Sequence, residues 1–98
     1  MAILKDPERK EMQYLHQFVQ LSGKSVLEIG SGDGRLTWRY AADTETVTGV
    51  DLDMQALRTA INACPVSLRN KVTLARASAI SLPHPHAAFD LAILAWSL

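Results

Sequence analysis

The chain is poor in cysteine, in aromatic residues and in any excess of one charge, and each shortage narrows what it can be. Cys64 stands alone, so no intramolecular disulfide forms, and no Cys/His spacing resembles a zinc site. A free thiol without a disulfide framework fits a reducing cytoplasm. With 10 Lys+Arg against 10 Asp+Glu, the formal net charge is zero. Such a chain lacks the basic excess that attraction to nucleic acid or to an anionic membrane uses, so neither is expected as a partner. Long apolar runs are also missing. Met1 to Leu4 is stopped by Lys5 and Asp6, far short of a signal-peptide core, and Leu91 to Trp96 is too short to cross a bilayer.

What is present points to a folded α/β domain. Apolar residues make up 48% of the 98 and charged residues 20%, the balance of one small globular unit rather than a disordered chain. Asp6 as N-cap and Pro7 at the first helical position predict a leading helix to about Leu21, with Met12, Leu15, Phe18 and Val19 on one face. Gly23 stands where a left-handed C-terminal residue is wanted. Ser25 to Ile29 reads as a buried strand containing one acid, Glu28. Arg35 to Ala42 reads as a helix with Leu36, Tyr40 and Ala41 inward. Glu45 to Asp51 is a second strand, and Asp53 an N-cap for a helix over Met54 to Cys64, ended by Pro65. Lys71 to Ala75 is a third strand, Ser78 to Ala88 a loop, and Phe89 to Trp96 a fourth strand. Strands apolar on both faces, alternating with helices, predict a parallel sheet covered on both sides.

The strongest local signal is Val26-Leu27-Glu28-Ile29-Gly30-Ser31-Gly32-Asp33-Gly34. Glycines between a strand and a helix let backbone approach a ligand where a Cβ would collide. Their bland alternative is a tight turn, which needs fewer glycines than this. The second signal is Asp51 at the end of the next strand, 19 residues past Gly32. In nucleotide-binding α/β units an acid at about 20 residues on accepts hydrogen bonds from ribose hydroxyls. Asp53 is better placed for capping, which leaves Asp51 for a ligand.

The dinucleotide fingerprint would put its third glycine at position 35, which is Arg35. The pattern Glu28-x-Gly30-x-Gly32-x-Gly34 instead resembles motif I of the class I S-adenosylmethionine-dependent methyltransferases, closest to the small-molecule branch called type 11. Val47-Thr48-Gly49-Val50-Asp51-Leu52-Asp53 resembles that family's second motif. Ser81-Leu82-Pro83 and Phe89-Asp90-Leu91-Ala92-Ile93-Leu94 resemble its later Leu-Pro and Phe-Asp motifs.

The resemblance implies a Rossmann-like three-layer sandwich, cut to about four strands in the order 3-2-1-4, with S-adenosylmethionine as cofactor. It implies that Gly30, Gly32 and Gly34, with Ser31 among them, form the loop under the methionine part, and that Glu28 anchors the loop and meets the cofactor ammonium. Asp51 would hold the ribose, Leu52 pack on the adenine, and Ser78 with Ala79 read the adenine edge. Ala95 and Trp96 would border the methionine moiety and the substrate side. Ser78 departs from the acid common in the family, which weakens one hydrogen bond by about 1 kcal/mol.

Residues 1–23 are expected as the leading helix and 24–98 as the core of the N-terminal half of such a domain. No catalytic residue and no metal ligand is assigned; His84 and His86 flank Pro85 without a partner acid. The fourth strand is expected as an exposed apolar edge, which predicts a homodimer through it or a truncated domain. Beside methyl transfer to a small-molecule acceptor, two readings stay open: a non-catalytic half-domain acting through assembly, and a nicotinamide-dependent oxidoreductase.

Overall fold

Five strands lie side by side in the computed structural model, which describes residues 2–5, 21–78 and 89–95. They are β1 (Ala2–Lys5), β2 (Ser25–Ile29), β3 (Thr46–Asp51), β4 (Val72–Arg76) and β5 (Leu91–Leu94). Between them run a short helix α1 (Thr37–Tyr40) and a longer one, α2 (Met54–Ala63), with single 3-10 turns at Ala41–Asp43 and Val66–Leu68. The sheet order is β1-β5-β2-β3-β4, and every pairing is parallel. Read from β4, the four expected strands stand in the expected order 3-2-1-4.

β2 and β5 are central, and their residues are buried on both faces: Val26, Leu27 and Glu28 in one, Leu91, Ala92 and Ile93 in the other. The alternation of side chains sorts them into two cores. Val26, Leu91 and Ile93 meet Leu36, Tyr40 and Ala41 under α1, while Leu27 and Ala92 meet Val50 and Phe89 on the opposite face. α2 starts where Asp53 predicts. The Asp53 carboxylate accepts from the backbone N–H of Gln55 at 3.0 Å and of Ala56 at 3.1 Å, two donors the first turn leaves unpaired. α2 buries Leu57 and Ala60.

Three expectations are corrected. Residues 2–5, expected with the rest of 1–23 in a leading helix, form strand β1. The outer edge of β5 is not exposed: β1 pairs with it from Ala2↔Leu91 to Lys5↔Leu94. Four residues suffice to occupy a strand of the same length, and the apolar stretch at the chain start supplies them. The premise of a dimer through that edge is thereby removed. The helix expected over residues 35–42 is shorter. Arg35 N–H donates to Asp33 Oδ1, Gly34 holds φ +86°, and both features keep the first turn non-helical. Its far end tightens into the 3-10 turn, where Thr44 Oγ1 donates to the Ala41 carbonyl. Residues 6–20 of the expected leading helix, the loop at 79–88 with its two histidines, and Trp96 at the end of the fourth strand lie outside the described residues. Among the described residues no helix is long and apolar enough to cross a membrane.

Candidate functional site

β2 ends at Ile29, and the chain turns through Gly30 (φ +79°), Gly32 (φ +57°) and Gly34 (φ +86°) before α1 begins. At Gly34 the requirement for glycine is steric as well as conformational, because a Cβ there would sit 2.5 Å from the Trp38 ring. Gly49 opposite serves the loop from β3, since its Cβ would press within 3.0 Å of the Ser31 side chain. The loop lies against the neighbouring strand for that reason.

The loop spends its backbone donors internally. Gly30 and Ser31 N–H both donate to the Val50 carbonyl (2.8 and 3.1 Å), and Gly34 N–H to the Ser31 carbonyl (3.1 Å). Gly32 N–H donates to Asp51 Oδ2 at 2.8 Å. A loop that cradles phosphate needs such N–H groups aimed outward. This one is tied to β3 instead.

At its base sits Glu28, fully buried. Its Oε1 accepts from Thr37 Oγ1 at 2.8 Å and from the Tyr40 hydroxyl. Thr37 and Tyr40 stand three apart on α1 and so share the face turned to the sheet. Oε2 has no donor among the described residues, and neither has the buried Ser31 hydroxyl. Burial raises the Glu28 pKa from the ordinary 4.5 to about 7, against the opposing pull of the Tyr40 and Thr37 hydrogen bonds. Burial and the adjoining carboxyl push the Tyr40 phenol up in turn.

Two recesses flank the loop. One, of about 250 Å³, is lined by Glu28, Gly30, Ser31, Gly32, Asp33, Arg35, Leu36, Ala56 and Ala95. The other, also about 250 Å³, is lined by Ile29, Gly30, Val50, Asp51, Leu52, Ala77 and Ser78. Asp51 is anchored on both oxygens, Oδ1 accepting from Asp53 N–H at 2.8 Å and Oδ2 from Gly32. Each carboxylate oxygen has a second lone pair, so the group still accepts hydroxyl donors from a ligand. Leu52 is 62% exposed at the rim, an apolar surface with nothing packed over it from the described chain. A larger recess, about 430 Å³, opens between the end of α2 and β4 beside Cys64 and Arg69. It holds no buried acid and no glycine loop, and the chemistry lies elsewhere.

Of the sequence-predicted residues, Glu28, Gly30, Ser31, Gly32 and Ala95 surround the first recess, and Asp51, Leu52 and Ser78 the second. Gly34 lines neither and instead admits the Trp38 ring. Ala79 and Trp96 lie outside the described residues. Sequence reasoning missed the pairing of Thr37 and Tyr40 with the acid. The signal was available: an acid in a buried strand needs donors, and two hydroxyl residues three apart on the next helix can supply them.

The arrangement suits a ligand that is cationic at one end and carries vicinal hydroxyls and a flat apolar group at the other. Comparison with known proteins gives the family. A family described as methyltransferase domain matches residues 26–98. A ubiquinone biosynthesis O-methyltransferase of Nitrosospira multiformis is 35% identical over 75 residues, which is 74% of this chain and 31% of the relative. An S-adenosylmethionine-dependent methyltransferase of Mesorhizobium loti superposes with a TM-score of 0.68 at 26% identity, over 85% of this chain and 38% of that one. The [4+2]-cyclase SpnF superposes with a TM-score of 0.72 at 29% identity, over 83% and 31%. The chain thus spans about a third of the length of the curated relative it matches.

Proposed function

Since the chain belongs to the methyltransferase-domain family, we propose that it forms the S-adenosylmethionine-binding portion of a methyltransferase acting on a small-molecule acceptor. The observation that carries this reading is the buried Glu28, one oxygen of which has no partner among the described residues, at the base of a loop whose Gly30, Ser31, Gly32 and Gly34 N–H groups are already engaged. That combination repels an anion and accepts a cation. It separates the proposal from a nicotinamide-dependent oxidoreductase, whose pyrophosphate would meet a carboxyl where the Gly30, Ser31 and Gly32 N–H groups are already engaged.

When bound, S-adenosylmethionine supplies an electrophilic methyl on a sulfonium sulfur. The roles of the chain's own residues follow from their places. Glu28 receives the ammonium of the methionine part, above which Gly30, Ser31 and Gly32 present backbone without side-chain bulk. Asp51 holds the ribose hydroxyls on the lone pairs left by Gly32 and Asp53. Leu52 offers an apolar face to the adenine, and Ser78 lines the same recess. Ala95, beside Glu28 in the first recess, borders the acceptor side. Methyl transfer is an in-line displacement favoured mainly by proximity and alignment, and no described residue is assigned as a base.

The cyclase relative favours a second reading, because a fold of this kind hosts more than one reaction and function resides in the site. Under that reading the chain binds the same cofactor without transferring its methyl. The single free Cys64 accords with a cytoplasmic setting.

The test is calorimetric titration with S-adenosylhomocysteine, with NAD as control. Saturable binding of the first and none of the second is expected. The reverse result, or no binding of either, overturns the proposal. Loss of methyl from S-adenosylmethionine with a panel of small acceptors then separates transferase from non-methylating binder.

A further inference from the structure

We propose that Tyr40 and Thr37 are positioning residues that hold one oxygen of Glu28 and leave the other for a cationic ligand, making capture of that ligand proton-linked. The inference rests on the cofactor-binding reading above and extends it to two residues that touch no ligand themselves.

Its geometry is one-sided. Both hydroxyl donors converge on Oε1, and Oε2 accepts nothing among the described residues, although Glu28 lines the first recess. A carboxyl fixed through one oxygen cannot swing, so the orientation of the second is set before any ligand arrives. The same two hydrogen bonds favour the charged form, which burial opposes. Glu28 therefore sits near the balance between acid and carboxylate at neutral pH. An ammonium placed beside Oε2 shifts that balance to the carboxylate, so binding releases a proton when it starts from the acid.

Among the described residues few other charges face Glu28. From α1 there is Tyr40, and Arg39 is exposed. From the loop there are Asp33 and Arg35, which pair with each other at 3.3 Å with side chains 43% and 79% exposed. From β3, Asp51 is held at Gly32 across the loop. β5 contributes only apolar residues, Leu91 to Leu94, and α2 contributes Ala56 to the recess.

The sign follows. If the charged form binds, only about a tenth of the protein is competent one pH unit below the Glu28 midpoint, and apparent affinity falls about tenfold there. Affinity for S-adenosylhomocysteine should thus rise about tenfold from pH 6 to pH 8 and then level. Adenosine, which has no ammonium, should bind without that rise. Tyr40→Phe removes a donor to the charged form while keeping the ring, so it should move the midpoint to higher pH. Its loss of affinity should be several-fold at pH 6.5 and shrink toward nothing at pH 8.5. Thr37→Val should act the same way and Thr37→Ser restore the wild-type profile.

The experiment is calorimetry of the full chain with both ligands from pH 6 to 8.5, in buffers of different ionisation enthalpy, with circular dichroism of each variant. Proton release below the midpoint and a shifted profile in Tyr40→Phe support the proposal. A purely structural role would lower affinity by one factor at every pH, and that result overturns it. So does S-adenosylhomocysteine binding that is flat with pH in the wild type. Absence of S-adenosylhomocysteine binding at every pH instead refutes the underlying cofactor reading.

Discussion

Glu28→Gln should abolish a loss of stability that the ligand-free wild type suffers as pH rises. The carboxyl is fully buried on β2 beneath α1, and its pKa is raised from 4.5 to about 7, with burial as the leading cause. The folded value lies above the unfolded one, so the folded state retains the proton between them. Stability from this group is therefore full below about pH 4.5 and is lost as pH climbs through about 7. A gap of about 2.5 pH units, at about 1.36 kcal/mol each, comes to ~3 kcal/mol. That is a large share of the roughly 5–15 kcal/mol that holds a small domain folded. Glutamine keeps the shape, and its carbonyl oxygen accepts from Thr37 and Tyr40 as Oε1 does. Its amide leaves an unpaired donor in the place of Oε2, a penalty that is the same at every pH. Urea unfolding without ligand, followed by tryptophan fluorescence from pH 5 to 8, measures the difference. Other groups titrate in both proteins, so the difference between the two slopes isolates Glu28. The reasoning fails if the wild-type and Glu28→Gln midpoints run parallel across that range.

Asp51→Ala should weaken S-adenosylhomocysteine by about 1.5–3 kcal/mol, some 10- to 150-fold in a titration, the range for hydrogen bonds to a charged group. An unchanged affinity would remove Asp51 from the site. Asp53→Ala deletes the N-cap of α2, whose carboxylate accepts from two backbone N–H groups at the helix start, and should lower unfolding stability by ~1 kcal/mol. Gly34→Ala forces a left-handed conformation on alanine and drives its Cβ into the Trp38 ring. A loss of at least about 1–2 kcal/mol in urea unfolding is expected, and neutrality would contradict the packing. Deleting residues 1–5 frees the outer edge of β5 and should produce concentration-dependent self-association in light scattering. A monodisperse monomer would show that the edge protects itself.

Much of this was legible before the structure because local rules and the global fold agree. β2, β3, β4 and α2 fall within a residue or two of their expected bounds, since each is set by a short-range device: β-branched runs for the strands, Asp53 and Pro65 for the helix. Asp90 of the Phe-Asp motif accepts from the Ser25 N–H and ties the start of β5 to β2. β1 was not legible. Four apolar residues ended by Lys5 and Asp6 carry no strand signature, and they become a strand only because β5 offers an edge nearly ninety positions away. Helix α1 was overestimated for the opposite reason. Its periodicity is genuine, and Leu36, Tyr40 and Ala41 do face inward, but local hydrogen bonding by Asp33 takes the first turn out of the helix. The placement of Glu28 was read correctly. Its partners were not, because a hydrogen bond between a strand and the helix packed over it is a tertiary fact.

Where the site lies and what it accepts have separate causes. From β2 the chain moves to β3 and β4 on one side, then returns to β5 on the other. The strand order reverses between β2 and β5, and open parallel sheets bind ligands in the crevice at such a point. The glycine loop follows β2 and Ala95 follows β5, its N–H donating to the Ile29 carbonyl at 2.8 Å, so the crevice is floored by the two strands themselves. Topology thus fixes the location for any ligand. On the proposed reading, the sign of the ligand's charge is set by two further choices: engaging the Gly30, Ser31 and Gly32 N–H groups with Val50 and Asp51, and burying an acid below them. Neutralising Glu28 alone would therefore not turn the site into a phosphate site, because the donors would remain engaged. Conversely, releasing the loop from Asp51 would still leave an acid beneath it. The proposed cationic preference rests on both features, and a single substitution should weaken binding without reversing it.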